Sequence, residues 1–103
     1  MSDAARVLQA LGDATRRDIV ERLTDTALSV SALAAPYDMT LTAVGQHLAI
    51  LEACGLVATE KVGRVRTARL AREGFAVLEL WLKDRRSTWE VRLDALGEVL
   101  QED

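Results

Sequence analysis

A chain of 103 residues, half of them apolar, with one Pro and six Gly, is expected to fold as one domain over residues 1–103. One Cys excludes an internal disulfide and a CxxC metal or redox pair. The amino end lacks the basic start and apolar run of a signal peptide, and no stretch reaches the roughly 18 to 20 consecutive apolar residues of a membrane span, so a cytoplasmic protein with no membrane partner is expected.

Net charge is −3, yet its distribution is uneven. Residues 1–39 carry six acids and four bases, residues 40–72 two acids and five bases, and residues 73–103 eight acids and four bases. The positive excess therefore falls in the middle third, and for a polyanionic partner the distribution of charge matters more than its total.

In chain order, DAARVLQAL over 3–11 reads as a first helix with Ala4, Val7, Leu8 and Leu11 on one side. Gly12 interrupts it, and Asp13 is placed to cap a second helix, ATRRDIVERL, whose apolar stripe is Ile19, Val20 and Leu23. Arg17 with Glu21, and Asp18 with Arg22, are opposite charges at i,i+4, each pair adding roughly 0.2–0.5 kcal/mol to a helix. Arg16 and Arg17 occupy the first turn, where the helix dipole disfavours exposed cations by roughly 0.3–1 kcal/mol. A phosphate contact or a pair with Asp13 would account for them.

Ser29 is the expected cap of a third helix that ends before Pro36, since a residue preceding proline is pushed out of the α region. Thr40 caps a fourth. There Leu41, Val44, Leu48 and Leu51 form one stripe at about 100° per residue, and Thr42, Ala43, Gln46, Ala49 and Ile50 fall opposite. A short helix, a proline-broken turn and a longer amphipathic helix make a helix-turn-helix. Its small, uncharged outer face suits close approach to the major groove: Gln46 can bind adenine N6 and N7, and the Thr42 methyl or an alanine can touch a thymine methyl. Burial would explain an apolar face but not Thr42 and Gln46, which would then need polar partners.

VATEKVGRVRTARL follows as two strand-like runs about Gly63, with Lys61, Arg64 and Arg66 near the tip. A two-residue Val62-Gly63 loop would pair Lys61 with Arg64 and Thr59 with Arg66. A longer loop is the alternative, because β-branched Val62 resists the positive φ that a tight hairpin turn needs. In either case Arg64 and Arg66 are expected on one face, contacting phosphate or the minor groove, or else serving as a charged edge against aggregation.

From Arg72 onward no Pro occurs, and Phe75, Leu78, Leu82, Trp89, Leu93, Leu96 and Leu100 recur near helical spacing. A continuous helix would run for about 45 Å, while a break near Arg85, Arg86 and Ser87 would let it fold back on its own domain. Trp81 and Trp89 offer large surfaces to a partner. Together with Val7 and Leu8 of the first helix, Leu78, Trp81, Leu82, Trp89, Leu93 and Leu96 are the expected homodimer interface. The fold class expected is mainly α, with a small β-hairpin.

No reaction is assignable. His47 and Cys54 lie on one flank of the fourth helix but are separated by about 10 Å of rise. Ligands of one zinc ion each lie about 2.0–2.3 Å from it, and a Cys–His nucleophile needs hydrogen-bond reach, so both readings fail. No phosphate-binding glycine loop, GxSxG elbow or HExxH motif is present. No enzyme activity and no cofactor are expected.

The succession ALGDATRRDIVERL, LSVSALAAPYDMTLTAVGQHLAILEACGLV and VGRVRTARL resembles the ArsR family of bacterial winged helix-turn-helix repressors over roughly residues 5–72. The closing W…W…LD helix is similar to a branch of that family without a recognised metal site. The resemblance implies a homodimer, joined by first and last helices, that binds a near-palindromic operator in double-stranded DNA and blocks transcription. It places Thr42, Gly45, Gln46 and His47 on the stretch that contacts bases and phosphates, and Arg64 and Arg66 on the wing. Relatives commonly carry Ser-Lys where this chain has Gly45-Gln46, so a phosphate-seeking lysine is absent. Metal sensing is unsupported, since residues 31–35 hold no Cys and the final helix no His. The acidic total and the lysine-free fourth helix leave a second reading: a winged-helix module for protein–protein assembly without DNA binding.

Overall fold

The computed structural model describes residues 1–101. In chain order it comprises α1 (Asp3–Leu11), α2 (Ala14–Asp25), β1 (Leu28–Ser29), α3 (Val30–Ala34), α4 (Leu41–Ala53), β2 (Val57–Val62), β3 (Val65–Leu70) and α5 (Arg72–Gln101). This is a winged helix-turn-helix, in which α3 and α4 form the helix pair and β2 with β3 the wing.

The helices start where short polar side chains can satisfy orphan backbone N–H groups. Asp13 accepts from the Arg16 N–H at 3.0 Å, Ser29 from Ala32 at 3.1 Å and Thr40 from Ala43 at 3.1 Å, as their positions in the sequence lead one to expect. Ser2 does the same for α1. At the far end of α4, Gly55 adopts φ +78°, the Leu56 N–H donates to the Leu51 carbonyl at 3.0 Å and the Gly55 N–H to Glu52 at 3.1 Å. This is a Schellman stop, with Leu51 and Leu56 both buried beneath it.

Ile19, Leu23, Leu33, Val44, Leu48, Leu51, Leu56 and Val57 form the centre of the core, with Phe75, Val77 and Leu78 of α5 packed against it. The three strands are antiparallel in the order β1-β3-β2, and Leu28 pairs with Ala68. Two-residue β1 carries no alternation from which it could be read, and only β3 defines it.

Two expectations change, and one left open is decided. Val7 is 1% exposed and belongs to the core of its own chain, because it faces inward with Ala4 and Ala10; it cannot contact a second copy. The wing turns at Gly63-Arg64, so Val62 pairs with Val65, Lys61 with Arg66 and Thr59 with Ala68. Gly63, at φ +62°, takes the left-handed position that Val62 could not. Register has moved by two residues, which keeps each side chain on its face, but Arg64 now lies in the turn itself and not on a strand face with Arg66. Finally, α5 passes through residues 85–87 as one helix, giving overall extents of 66 × 25 × 25 Å.

The start of α5 meets the end of α4 without side chains between them. Gly74 donates its N–H to the Gly55 carbonyl at 2.7 Å, and a Cβ on Gly74 would sit 2.7 Å from the Cys54 carbonyl oxygen. Gly74→Ala is expected to cost about 1–3 kcal/mol and lower Tm by at least roughly 4 °C, with Gly55→Ala similar because it also needs positive φ. Thermal melts of both variants check this; an unchanged Tm for Gly74→Ala would show that the two helix ends can part freely.

Candidate nucleic-acid interface

Burial of α4 is one-sided. Val44, Leu48 and Leu51 are buried, whereas Thr42, Gly45, Gln46 and Ala49 are exposed along the opposite face. A Cβ on Gly45 would meet nothing within 4 Å, so the backbone there is open to whatever approaches. Leu41 departs from the expected stripe at 57% exposure. It lies in the first turn of α4, beyond the elements that bury later turns, and shares a surface hollow with Ser29, Val30, Arg64 and Arg66. The tip of the wing thus stands beside the start of the helix-turn-helix.

On the wing, Lys61 and Arg66 are cross-strand partners. Like charges placed opposite one another destabilise a sheet, and among the described residues neither forms an ion pair. Arg66 donates from Nη2 to Thr59 Oγ1 at 3.1 Å, and the Thr59 hydroxyl and N–H both donate to Glu52 Oε1, at 3.0 and 3.2 Å. Glu52 is the one charged side chain on α4. It therefore ties the helix to the wing and fixes how Arg66 is presented. Sequence reasoning missed this chain of contacts, because partners seven residues apart across an element boundary leave no periodic signal.

Arg16 and Arg17 are engaged within the protein. Arg16 donates from Nε to the Ala10 carbonyl at 2.7 Å, and Arg17 from Nη1 to the Leu11 and Gly12 carbonyls at 2.7 and 3.0 Å. Both cations reach back to the C-terminal end of α1, where the helix dipole favours them. That explains their place in the first turn of α2 without a phosphate. Arg16 Nη1 also lies 3.4 Å from Nδ1 of His47. A guanidinium can only donate, so in this contact Nδ1 is the acceptor. The Asp13 carboxylate is 3.8 Å from the same nitrogen, and the hydrogen bond from the Arg16 N–H holds its pKa below the ordinary 3.8. His47 is thus half-buried at the junction of α1, α2 and α4, the interhelix role rather than an open base-reading one.

The neighbouring arginine acts on α3. Arg22 donates to the Leu33 carbonyl at 2.8 Å and the Ala32 carbonyl at 3.0 Å, and lies 5.4 Å from the Tyr37 ring centroid. The Tyr37 hydroxyl donates to Asp18, and burial raises the Tyr37 pKa. Of the two charged pairs expected along α2, that of Asp18 with Arg22 is thus replaced by bonds that seat α3 and the turn before α4, while Arg17 turns to the end of α1.

Of the expected interface residues on α5, Leu78 is half-buried against the core, and Trp81 is half-buried beside residues 2–4 with the Arg85 guanidinium 4.3 Å above its ring. Leu82, Trp89, Leu93 and Leu96 are exposed, as is Leu8 on α1. Cys54 is half-buried, its Sγ donating to the Leu51 carbonyl, and burial raises its pKa. Among the described residues no three or more His, Cys, Asp or Glu gather as a metal site, and no helix is long and apolar enough to cross a membrane.

Comparison with known proteins agrees with this architecture. A helix-turn-helix domain family matches residues 11–60. The HTH-type transcriptional regulator Rv2034 of Mycobacterium tuberculosis is 42% identical over 73 residues, 71% of this chain and 68% of the relative. A solved ArsR family transcriptional regulator is 40% identical with a TM-score of 0.79, over 85% of this chain and 91% of the other. A homodimeric winged helix-turn-helix DNA-binding domain from Mycobacterium bovis, from a possible ArsR-family regulator, is 27% identical with a TM-score of 0.64, over 98% and 87%.

The Arg22 clamp makes the seating of α3 measurable. Arg22→Met keeps the aliphatic stem but removes two charge-assisted hydrogen bonds and the ring contact, and is expected to cost about 1–3 kcal/mol. Denaturant midpoints of the variant and parent check it; coincident curves would mean that the α3 carbonyls are equally well served by water.

Proposed function

Because this chain belongs to the ArsR family of winged helix-turn-helix transcriptional regulators, we propose that it acts as a homodimeric repressor that binds a near-palindromic operator. The observation that carries this reading is the pairing of an uncharged, exposed α4 face with a wing whose opposed cations have no ion-pair partner among the described residues. Thr42 and Gln46 read base edges, Gly45 permits close approach, and Lys61, Arg64 and Arg66 contact phosphate. Arg16, Arg17 and His47 contribute by holding α1, α2 and α4 together.

Two-fold pairing is supported by the exposed apolar side chains of α5 and by the homodimeric solved relative. Leu8, Leu82, Trp89, Leu93 and Leu96 form the interface, with Trp81 at its edge. Two symmetric subunits call for two related half-sites. Residues 1–103 act as one cytoplasmic unit that works by binding and not by catalysis, and occupancy of the operator blocks transcription. A protein-assembly module without DNA binding is the competing reading, motivated by the net negative charge. A gel shift at two salt concentrations, with DNA from upstream of the protein's own gene, separates the two: salt-sensitive, sequence-preferring retardation is expected, and none at low salt would favour assembly.

Gln46→Ala is expected to weaken operator binding by about 1–3 kcal/mol and relax preference at one base pair. Equal loss on operator and random DNA would remove it from base reading. Arg64→Ala should weaken both alike and reduce the log–log salt slope by about one; an unchanged slope would take Arg64 off the phosphate.

A further inference from the structure

A groove of about 520 Å³ opens between α1 and the second half of α4, within the roughly 300–1,000 Å³ range of small-molecule sites. Its lining joins two chemistries. Arg6 and Arg16 supply guanidinium groups, while Met1, Ile50, Ala53 and Cys54 supply apolar surface. Among the described residues no carboxylate lines it; Asp3 and Glu73 border the adjoining hollow, which Arg6 also lines. Among the described residues Arg6 makes no side-chain hydrogen bond or ion pair, and Ile50 is left 45% exposed on the flank of α4.

We propose that this groove is a regulatory site for a small amphipathic anion, a carboxylate on an apolar body, with the carboxylate on Arg6 and Arg16 and the body on Ile50 and Ala53. Charge complementarity selects the anion, and the exposed apolar floor selects the tail. A carboxylate does not react with the Cys54 thiol, so occupancy is non-covalent. At 100° per residue Arg6 and Gln9 lie roughly 160° and 100° around α1 from Leu8, so pairing through Leu8 and α5 leaves the groove open.

The site is wired to α4. Arg16 is anchored to the Ala10 carbonyl at 2.7 Å but reaches the Gln9 carbonyl and His47 at only 3.4 Å each. An anion on the guanidinium competes with those longer contacts and releases His47, the residue next to Gln46. This coupling rests on the DNA-binding reading; ligand binding itself does not. By linkage, an anion that weakens DNA binding is itself bound less tightly by the DNA complex.

The test is titration of the isotope-labelled full chain with octanoate and, separately, with octan-1-ol, followed by amide correlation spectra without DNA. Shifts are expected to cluster at Arg6, Gln9, Ile50, Ala53 and His47, with the alcohol and the Arg6→Glu variant each binding at least about tenfold more weakly. Ala53→Phe, which fills the apolar floor, should also weaken binding and serves if Arg6→Glu does not fold. Shifts confined to α5, or equal binding of acid and alcohol, would overturn the site. In a gel shift octanoate should lower operator affinity at least about fivefold, within the usual range of coupling between sites. Groove binding with undiminished DNA affinity would overturn the coupling, and absence of any DNA complex would instead indict the DNA-binding reading.

Discussion

Everything in this molecule is arranged around the burial of one side of α4. Val44, Leu48 and Leu51 are almost wholly removed from water among Ile19, Leu33, Leu56 and Val57, and each such side chain contributes about 1.5–3 kcal/mol on burial. That anchorage fixes the rotation of the helix about its axis. With rotation fixed, Thr42, Gly45, Gln46 and Ala49 have only solvent to face. The face proposed to read DNA is thus the geometric complement of the core.

Three arginines turn that packing into a fixed angle between helices. Arg16 and Arg17 occupy the carbonyl end of α1, and Arg22 the carbonyl end of α3. Each satisfies backbone acceptors that a helix terminus leaves orphaned, and each does so from α2, so α2 is the bracket on which α1 and α3 hang. Among the described residues no buried side-chain polar atom lacks a partner. Glu52 and Thr59 extend the same logic to the wing, where Arg66 is therefore held in a defined place relative to α4.

Among the described residues the long last helix leaves more large apolar side chains uncovered by its own chain than any other element. Its first turns pack on the core through Phe75, Val77 and Leu78, but Trp89, Leu93, Leu96 and Val99 stand in solvent. Contiguous exposed apolar surface of this kind marks an interaction site, and the proposed dimer supplies its cover.

The sequence by itself determined the order of the helices and the wing, the caps at Asp13, Ser29 and Thr40, the inward stripe of Val44, Leu48 and Leu51, and the uncharged character of the face opposite. These are local properties: side-chain chemistry at a helix start and a period of 3.6 residues express themselves within a few positions. Only the tertiary structure decided that Val7 belongs to the core, that Leu41 lies outside it, that the wing turns at Gly63-Arg64, that β1 exists, and that Arg16, Arg17 and Arg22 grip helix ends instead of standing free. The physical reason is that a long cationic side chain, or a two-residue strand, takes its role from whichever acceptor another element brings within about 3 Å, and no pattern along the chain encodes that meeting.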